Sequence, residues 1–275
     1  MAFIYVNGNF YPETEAKISV KDRGFRFGDG VFETISFYNG KIFRWNLHKA
    51  RLEGGLESIK IVFNTERLES DILKTIEKNG LKTGLARITI TRGEGSRGYL
   101  PAEKSTANVV IEAMPRPPME REHANLCVSK YKKIPLECLP VNYKLTQGLS
   151  STLAKMEAHE KRFFDALMLN VDGYVSECSA GNIFWVKGKN VYTPRYDCDI
   201  LEGVMRQVVL DKCPYNVIHG RFKLSELKRA DEVFITNVAW KVLSVNEIEG
   251  VFKNKKGYKA TSEIRNLIEK DISNQ

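Results

Sequence analysis

The sequence predicts an α+β protein built as two domains. Short runs of β-branched and aromatic residues alternate with helix-length amphipathic stretches. In the first half the strand runs come in pairs joined by Asn-Gly, the signature of hairpins and so of an antiparallel sheet. Near the middle, "MPRPPMEREHA" (Met114–Ala124) crowds three prolines into four positions, which excludes both helix and central strand. These observations divide the chain into a smaller N-terminal α+β domain over 1–114, a linker over 115–124 and a larger C-terminal domain over 125–275.

The elements follow in order. "AFIYVNGNFY" reads as two strands around Asn7-Gly8, and "GVFETISFYNGKIFRW" as two more around Asn39-Gly40. "NLHKARLEGGLESIKI" is a helix with Asn46 as its expected cap and Leu47, Ala50 and Leu52 on one face. "ERLESDILKTIEKNG" is a second helix, closed by Gly80. "LARITITRG" and "ANVVIEAMP" are strands. Past the linker, "LSSTLAKMEAHEKRF" is helical, "DALMLN" and "NIFWV" are strands, and "GVMRQVVLDKC" is helical. "EVFITNVAWKVLSV" is a strand pair and "ATSEIRNLIEKDI" a last helix, with Thr261 or Ser262 near its start.

Composition narrows the function. The 275 residues are 43% hydrophobic and 28% charged, enough for a substantial core. The net charge is +8, but Lys and Arg are spread along the chain, and clusters such as "KNKKGYK" and "KYKK" read as solvated faces. No aromatic-basic motif of the RNA-binding kind occurs, so no nucleic-acid partner is expected. The five cysteines are scattered without a CxxC pair, and the four histidines lie far apart. That pattern points to reduced thiols in the cytoplasm, without a metal site. The N-terminus lacks a signal peptide's basic-then-apolar pattern, and no run reaches membrane-spanning length.

Several stretches invite chemistry. In "GYVSECSAGNIFWV", Glu177 interrupts strand material. Periodicity alone places it on a solvent face or a loop; a buried carboxylate would require a cation, which this window does not hold. "DILEGVMRQVV" sets Gly203 before a helix, whose first N–H groups and dipole suit a phosphate. "FITNVAW" ends a strand with Thr236 and Asn237, a hydroxyl and an amide that could add donors. Arg51 in "HKARL" reads first as a surface arginine. "RGEGSRGY" places Arg92, Arg97 and Tyr99 in a glycine-rich loop between strands, where a guanidinium can fork onto a carboxylate or simply face water.

"DRGFRFGDGVFETI", "HKARL", "VSECSAGNIFWVKGKNVYTP" and "LEGVMRQ", taken in order, resemble the class IV aminotransferases, the fold-type IV pyridoxal 5'-phosphate (PLP) enzymes. That family includes branched-chain and D-amino acid aminotransferases and aminodeoxychorismate lyase. The resemblance implies that Glu177 faces the pyridine nitrogen of PLP, so that the missing cation is the cofactor itself. Spacing cannot choose the covalent lysine among so many; the family pattern selects Lys144 of "VNYKLTQGLSSTLAKMEA" and leaves Lys130 to Lys133 too early. Where the family commonly has asparagine after that lysine, this chain has Gln147 and Gly148. Arg51, the Gly203 turn with the Val204 and Met205 N–H groups, and Thr236 with Asn237 become the expected phosphate set. Arg92, Arg97 and Tyr99 become the expected substrate loop. That loop, "SECSAGNIFWVKGKNVYTPRYD" and "GVMRQ" resemble aminodeoxychorismate lyase more than the branched-chain enzymes. The family further implies a small-molecule amino substrate and a homodimer, with the site near the domain boundary.

Overall fold

The computed structural model describes residues 1–119 and 121–274; Glu120, inside the expected linker, and Gln275 lie outside the described residues. The chain forms two units. The first comprises Met1–Pro117 together with Tyr143–Gln147, and the second comprises Pro118–Asn142 and Gly148–Gln275. The changeover at Pro117–Pro118 falls within the proline-rich stretch, but His123 and Ala124, expected in the linker, already belong to a strand. Tyr143–Gln147, expected in the second domain, packs with the first because its backbone finds hydrogen-bond partners there.

In the first unit the elements are β1 (Phe3–Val6), β2 (Asn9–Pro12), α1 (Arg23–Phe27), β3 (Gly30–Tyr38), β4 (Lys41–Ile42), α2 (Trp45–Ser58), α3 (Leu68–Lys78), β5 (Gly84–Thr91) and β6 (Asn108–Met114). The strands make one sheet in the order β2-β1-β6-β5-β3-β4, with every pair antiparallel. Both Asn-Gly turns adopt the positive φ that two-residue hairpins demand: 49° and 96° at Asn7-Gly8, 51° and 76° at Asn39-Gly40. Helix α3 buries Leu68, Ile72 and Ile76, one residue per turn, in the core cluster that also holds Ile35, Phe37, Ile88 and Ile111 of the sheet. Each such side chain contributes about 1.5–3 kcal/mol through burial. Asn46 is not the cap of α2. The helix starts one residue earlier, after Arg44 in the left-handed region, and no side chain caps it.

The second unit contains β7 (His123–Lys132), α4 (Leu149–Glu160), β8 (Asp165–Leu169), β9 (Val175–Cys178), β10 (Asn182–Lys187), β11 (Asn190–Pro194), α5 (Val204–Lys212), β12 (Asn216–Gly220), α6 (Leu224–Leu227), β13 (Glu232–Asn237), β14 (Lys241–Ile248), β15 (Phe252–Lys253) and α7 (Lys259–Ser273). Its nine-stranded sheet runs β12-β11-β10-β13-β14-β7-β8-β9, with β15 on β14. The sheet is mixed: β11–β12, β14–β7 and β7–β8 are parallel. Strand β8 is buried along its whole length, as a central strand covered on both faces must be. Thr261 does not cap α7 with its own hydroxyl. Instead Glu232 accepts from the Ala260 and Thr261 N–H groups and from the Thr261 hydroxyl, placing a carboxylate at the positive end of the helix. No helix among the described residues is long and apolar enough to cross a membrane.

Candidate active site

The first unit brings Lys144 and Arg51 onto one scaffold. The Phe32 N–H donates to Lys144 O at 2.8 Å and the Thr146 N–H to Gly30 O at 3.0 Å, so the lysine segment lies along the start of β3. The Thr146 hydroxyl adds a bond to Gly28 O at 2.6 Å. Helix α2 leaves room for this segment at its two glycines: a Cβ on Gly54 would stand 2.6 Å from the Tyr143 ring. Gln147, where the family commonly has asparagine nearby, donates to Phe27 O, and the Lys144 amine rests 4.4 Å from the centre of the Phe32 ring.

Arg51 is not a surface arginine. Its Nε and Nη2 fork onto Glu33 at 2.7 and 2.8 Å, and His48 Nδ1 meets the same carboxylate at 2.8 Å. Glu33 is fully buried. Burial alone would raise its pKa, but the Arg51 charge and the His48 hydrogen bond outweigh it and hold the carboxyl at about 2. Burial pushes the His48 imidazole below its usual range, outweighing the Glu33 hydrogen bond and charge that raise it, while the Arg51 and Lys144 charges lower it further. His48 Nδ1 faces the Glu33 carboxylate, and its Nε2, also buried, has no hydrogen-bond partner among the described residues.

The loop after β5 holds its expected substrate residues in different ways. Arg92 is committed to structure: it forks onto Asp29 at 2.8 and 2.9 Å and donates to Ile59 O and Lys60 O. Four of its five N–H donors are taken by these partners. Arg23 donates to the same Asp29 Oδ2 at 2.8 Å and also to Gly98 O and Tyr99 O. Tyr99 serves the loop through that carbonyl, while its side chain is exposed and its ring lies against Phe27. Arg97 stands exposed between these anchored points.

The second unit answers the question posed by Glu177. The carboxylate is not on a solvent face: it is 5% exposed, and both oxygens are held. Oε1 accepts from Lys133 Nζ at 2.6 Å and Oε2 from Asn182 Nδ2 at 2.9 Å. Lys133 follows β7 directly and Glu177 lies on β9, so the pair flanks β8. A cation therefore exists within the protein, outside the window in which sequence reading sought one.

Asn182 also fixes the entry to α5. Its amide donates to Leu201 O at 2.8 Å, and its Oδ1 occupies the space where a Gly203 side chain would begin, 2.0 Å from an ideal Cβ. Gly203 caps α5 without any side-chain bond, so the first-turn N–H groups of Val204 and Met205 have no capping partner there. Across the β10–β13 pairing Asn182 faces Thr236, whose hydroxyl is buried and has no partner among the described residues. Asn237 is different. Its Oδ1 accepts the Ala239 and Trp240 N–H groups and its Nδ2 donates one hydrogen to Ala180 O, so it closes a turn and keeps its second amide hydrogen. An orphaned hydroxyl, an uncapped helix start and a glycine with no room for a side chain together suit a phosphate ester.

Residues 30–248 match the family model described as amino-transferase class IV. The chain belongs to the class IV aminotransferases. It is therefore a PLP-dependent enzyme of that class, in which aminotransferases and lyases both occur. It is 34% identical to a putative branched-chain-amino-acid aminotransferase of Methanocaldococcus jannaschii, over 98% of this chain and 96% of that one. It is 30% identical to the aminodeoxychorismate lyase of Bacillus subtilis strain 168, over 98% and 95%. The T.th. branched-chain amino acid aminotransferase, solved with pyridoxamine 5'-phosphate, superposes with a TM-score of 0.91 at 29% identity, covering 100% of this chain and 95% of that one. The α+β fold is thus the fold-type IV architecture.

Sequence reading missed Glu33, His48, Asp29 and Lys133 in this class IV enzyme. Each acts through a partner distant in sequence, up to 63 residues away for Asp29 and Arg92. Asn182 did carry a signal, as the asparagine of the motif that begins with Glu177.

Proposed function

We propose that this class IV enzyme is a 4-amino-4-deoxychorismate lyase, releasing 4-aminobenzoate and pyruvate. The observation that carries the proposal is Arg97, exposed on a glycine-flanked loop whose base is braced through Asp29. With Arg92 committed elsewhere, Arg97 is the loop guanidinium left to fork onto a substrate carboxylate. The Bacillus subtilis relative supports the same reading. The alternative is a branched-chain or D-amino acid aminotransferase, which the Methanocaldococcus jannaschii relative supports.

In this reading Arg51, the Val204 and Met205 N–H groups with the Gly203 turn, and the Thr236 hydroxyl hold the cofactor phosphate. Glu177 holds the ring nitrogen, and Lys144 makes the covalent attachment. Bound PLP supplies an electron sink that makes a proton on the amine-bearing substrate carbon removable. Glu33 and His48 fix the Arg51 fork so that its charge is in place before the phosphate arrives. The Lys144 amine would be the group that moves that proton. Arg97 orients the substrate by its carboxylate. Family likeness extends the proposal to a homodimer working in the cytoplasm.

The test is direct. Purified protein with PLP is offered aminodeoxychorismate and, separately, L- and D-amino acids with 2-oxoglutarate. Release of 4-aminobenzoate supports the lyase. Glutamate formation without 4-aminobenzoate overturns it in favour of the aminotransferase.

A further inference from the structure

Lys133 has no role in the reading above, yet it is the nearest cation to the carboxylate on which that reading turns. Both side chains are almost fully withdrawn from water, 10% exposed for Lys133 and 7% for Glu177. A buried lysine is costly unless its charge is matched, and here Glu177 Oε1 matches it at 2.6 Å. Its place is fixed by the backbone, since the Lys133 N–H donates to Leu169 O at 3.0 Å at the end of the β7–β8 pairing. Asn182 holds the other carboxylate oxygen. Each carboxylate oxygen can accept more than one hydrogen bond, so Glu177 keeps acceptor capacity for a further donor.

We propose that Lys133 is a positioning residue that keeps the proton on the cofactor's ring nitrogen by acting through Glu177. The inference rests on Glu177 being the ring partner. A proton shared between a carboxylate and a ring nitrogen can sit on either. On nitrogen it leaves two opposite charges; on oxygen it leaves two neutral groups. An apolar surrounding favours the neutral pair. A fixed ammonium bonded directly to the carboxylate lies closer to the negative charge than to the positive one, and so favours the charged pair. Asn182 orients the carboxylate but brings no charge. Lys133 thus makes the ring a stronger electron sink without touching it.

The ring nitrogen reports its own protonation through its ¹⁵N chemical shift, read on protein loaded with ¹⁵N-labelled PLP. The parent should show a protonated nitrogen. Lys133→Met should shift the resonance toward the unprotonated position, and Lys133→Arg, which keeps the charge, should restore it. Should the methionine variant not fold, Lys133→Gln carries the same test, because it retains a polar head without the charge. A protonated nitrogen in the folded Met or Gln variant, unchanged from the parent, overturns the role of Lys133 and leaves Glu177 as ring partner standing. An unprotonated nitrogen already in the parent, unaltered by Glu177→Gln, overturns instead the reading on which the inference rests.

Discussion

Gly203→Ala should disturb the proposed phosphate turn of the second unit by way of the Asn182 side chain. The backbone at Gly203 has φ −66° and ψ 133°, which alanine adopts freely, so no conformational strain arises. The difficulty is space. The new Cβ would fall 2.0 Å from Asn182 Oδ1, and one of the two must move. If the Asn182 side chain swings away, it gives up its bonds to Glu177 at 2.9 Å and to Leu201 O at 2.8 Å. A hydrogen bond to a charged group contributes about 1.5–3 kcal/mol and an ordinary one about 0.5–1.5, so the loss is roughly 2–4.5 kcal/mol. Urea unfolding should register that loss, and a PLP titration should show a dissociation constant raised at least ~10-fold, equivalent to about 1.4 kcal/mol. The decisive arm is a double-mutant cycle. In an Asn182→Ala background the colliding oxygen is gone, and the next contact of the Cβ is Arg206 Cβ at 3.5 Å, an ordinary separation. There Gly203→Ala should cost no more than about 1 kcal/mol, the scale of a changed N-cap. Equal costs in both backgrounds would refute the steric account.

Borohydride reduction of the PLP-loaded protein, followed by peptide mapping, should find the cofactor on the peptide containing Lys144; a label on Lys133 would show that the family pattern was carried to the wrong lysine. Arg97→Ala should lower kcat/KM for aminodeoxychorismate by about 1.5–3 kcal/mol in transition-state terms with PLP affinity unchanged, and Arg97→Lys should recover only part. Parent-like turnover in Arg97→Ala would place that arginine on the surface. Glu33 has a folded pKa of about 2 against an ordinary 4.5, a depressed carboxylate, so its contribution is complete above pH 4.5 and is lost as pH falls from there toward 2. That difference corresponds to about 3 kcal/mol, and urea unfolding between pH 5 and 3 should weaken more steeply in the parent than in Glu33→Gln; parallel curves would remove Glu33 from the account.

Local chemistry was the legible part of the sequence. Asn7-Gly8 and Asn39-Gly40 announced their hairpins because few other residues accept positive φ at both positions. The apolar spacing of α3 announced the face it buries. The parallel strand β12 left little trace, because its five residues are only partly buried or exposed and show no clean alternation. Glu177 was found as a motif residue whose cation the resemblance supplied as the cofactor, but periodicity did not show its burial and Lys133, 44 residues before it, was not foreseen as its partner. Arg92 and Arg97 look alike in "RGEGSRGY". Only the fold separates them, by bringing Asp29 and the carbonyls of Ile59 and Lys60 to the first. Charge pairs of this kind have no period and no fixed spacing, so they become visible only when the chain is folded.

The strip Tyr143–Gln147 bears on how the chain is made. The polypeptide passes from the first unit to the second after Pro117, returns at Tyr143, and leaves again after Gln147. A nascent chain that has delivered all six strands of the first sheet still lacks the segment that pairs with Gly30 and Phe32. At ribosomal speeds of ~5–20 residues per second that segment follows a few seconds later. The first unit must therefore wait, incomplete at the very edge that receives Lys144, while the opening strand of the second emerges. Cutting the chain once at the proline-rich stretch would likewise not yield two self-sufficient pieces, because the lysine would depart with the wrong one.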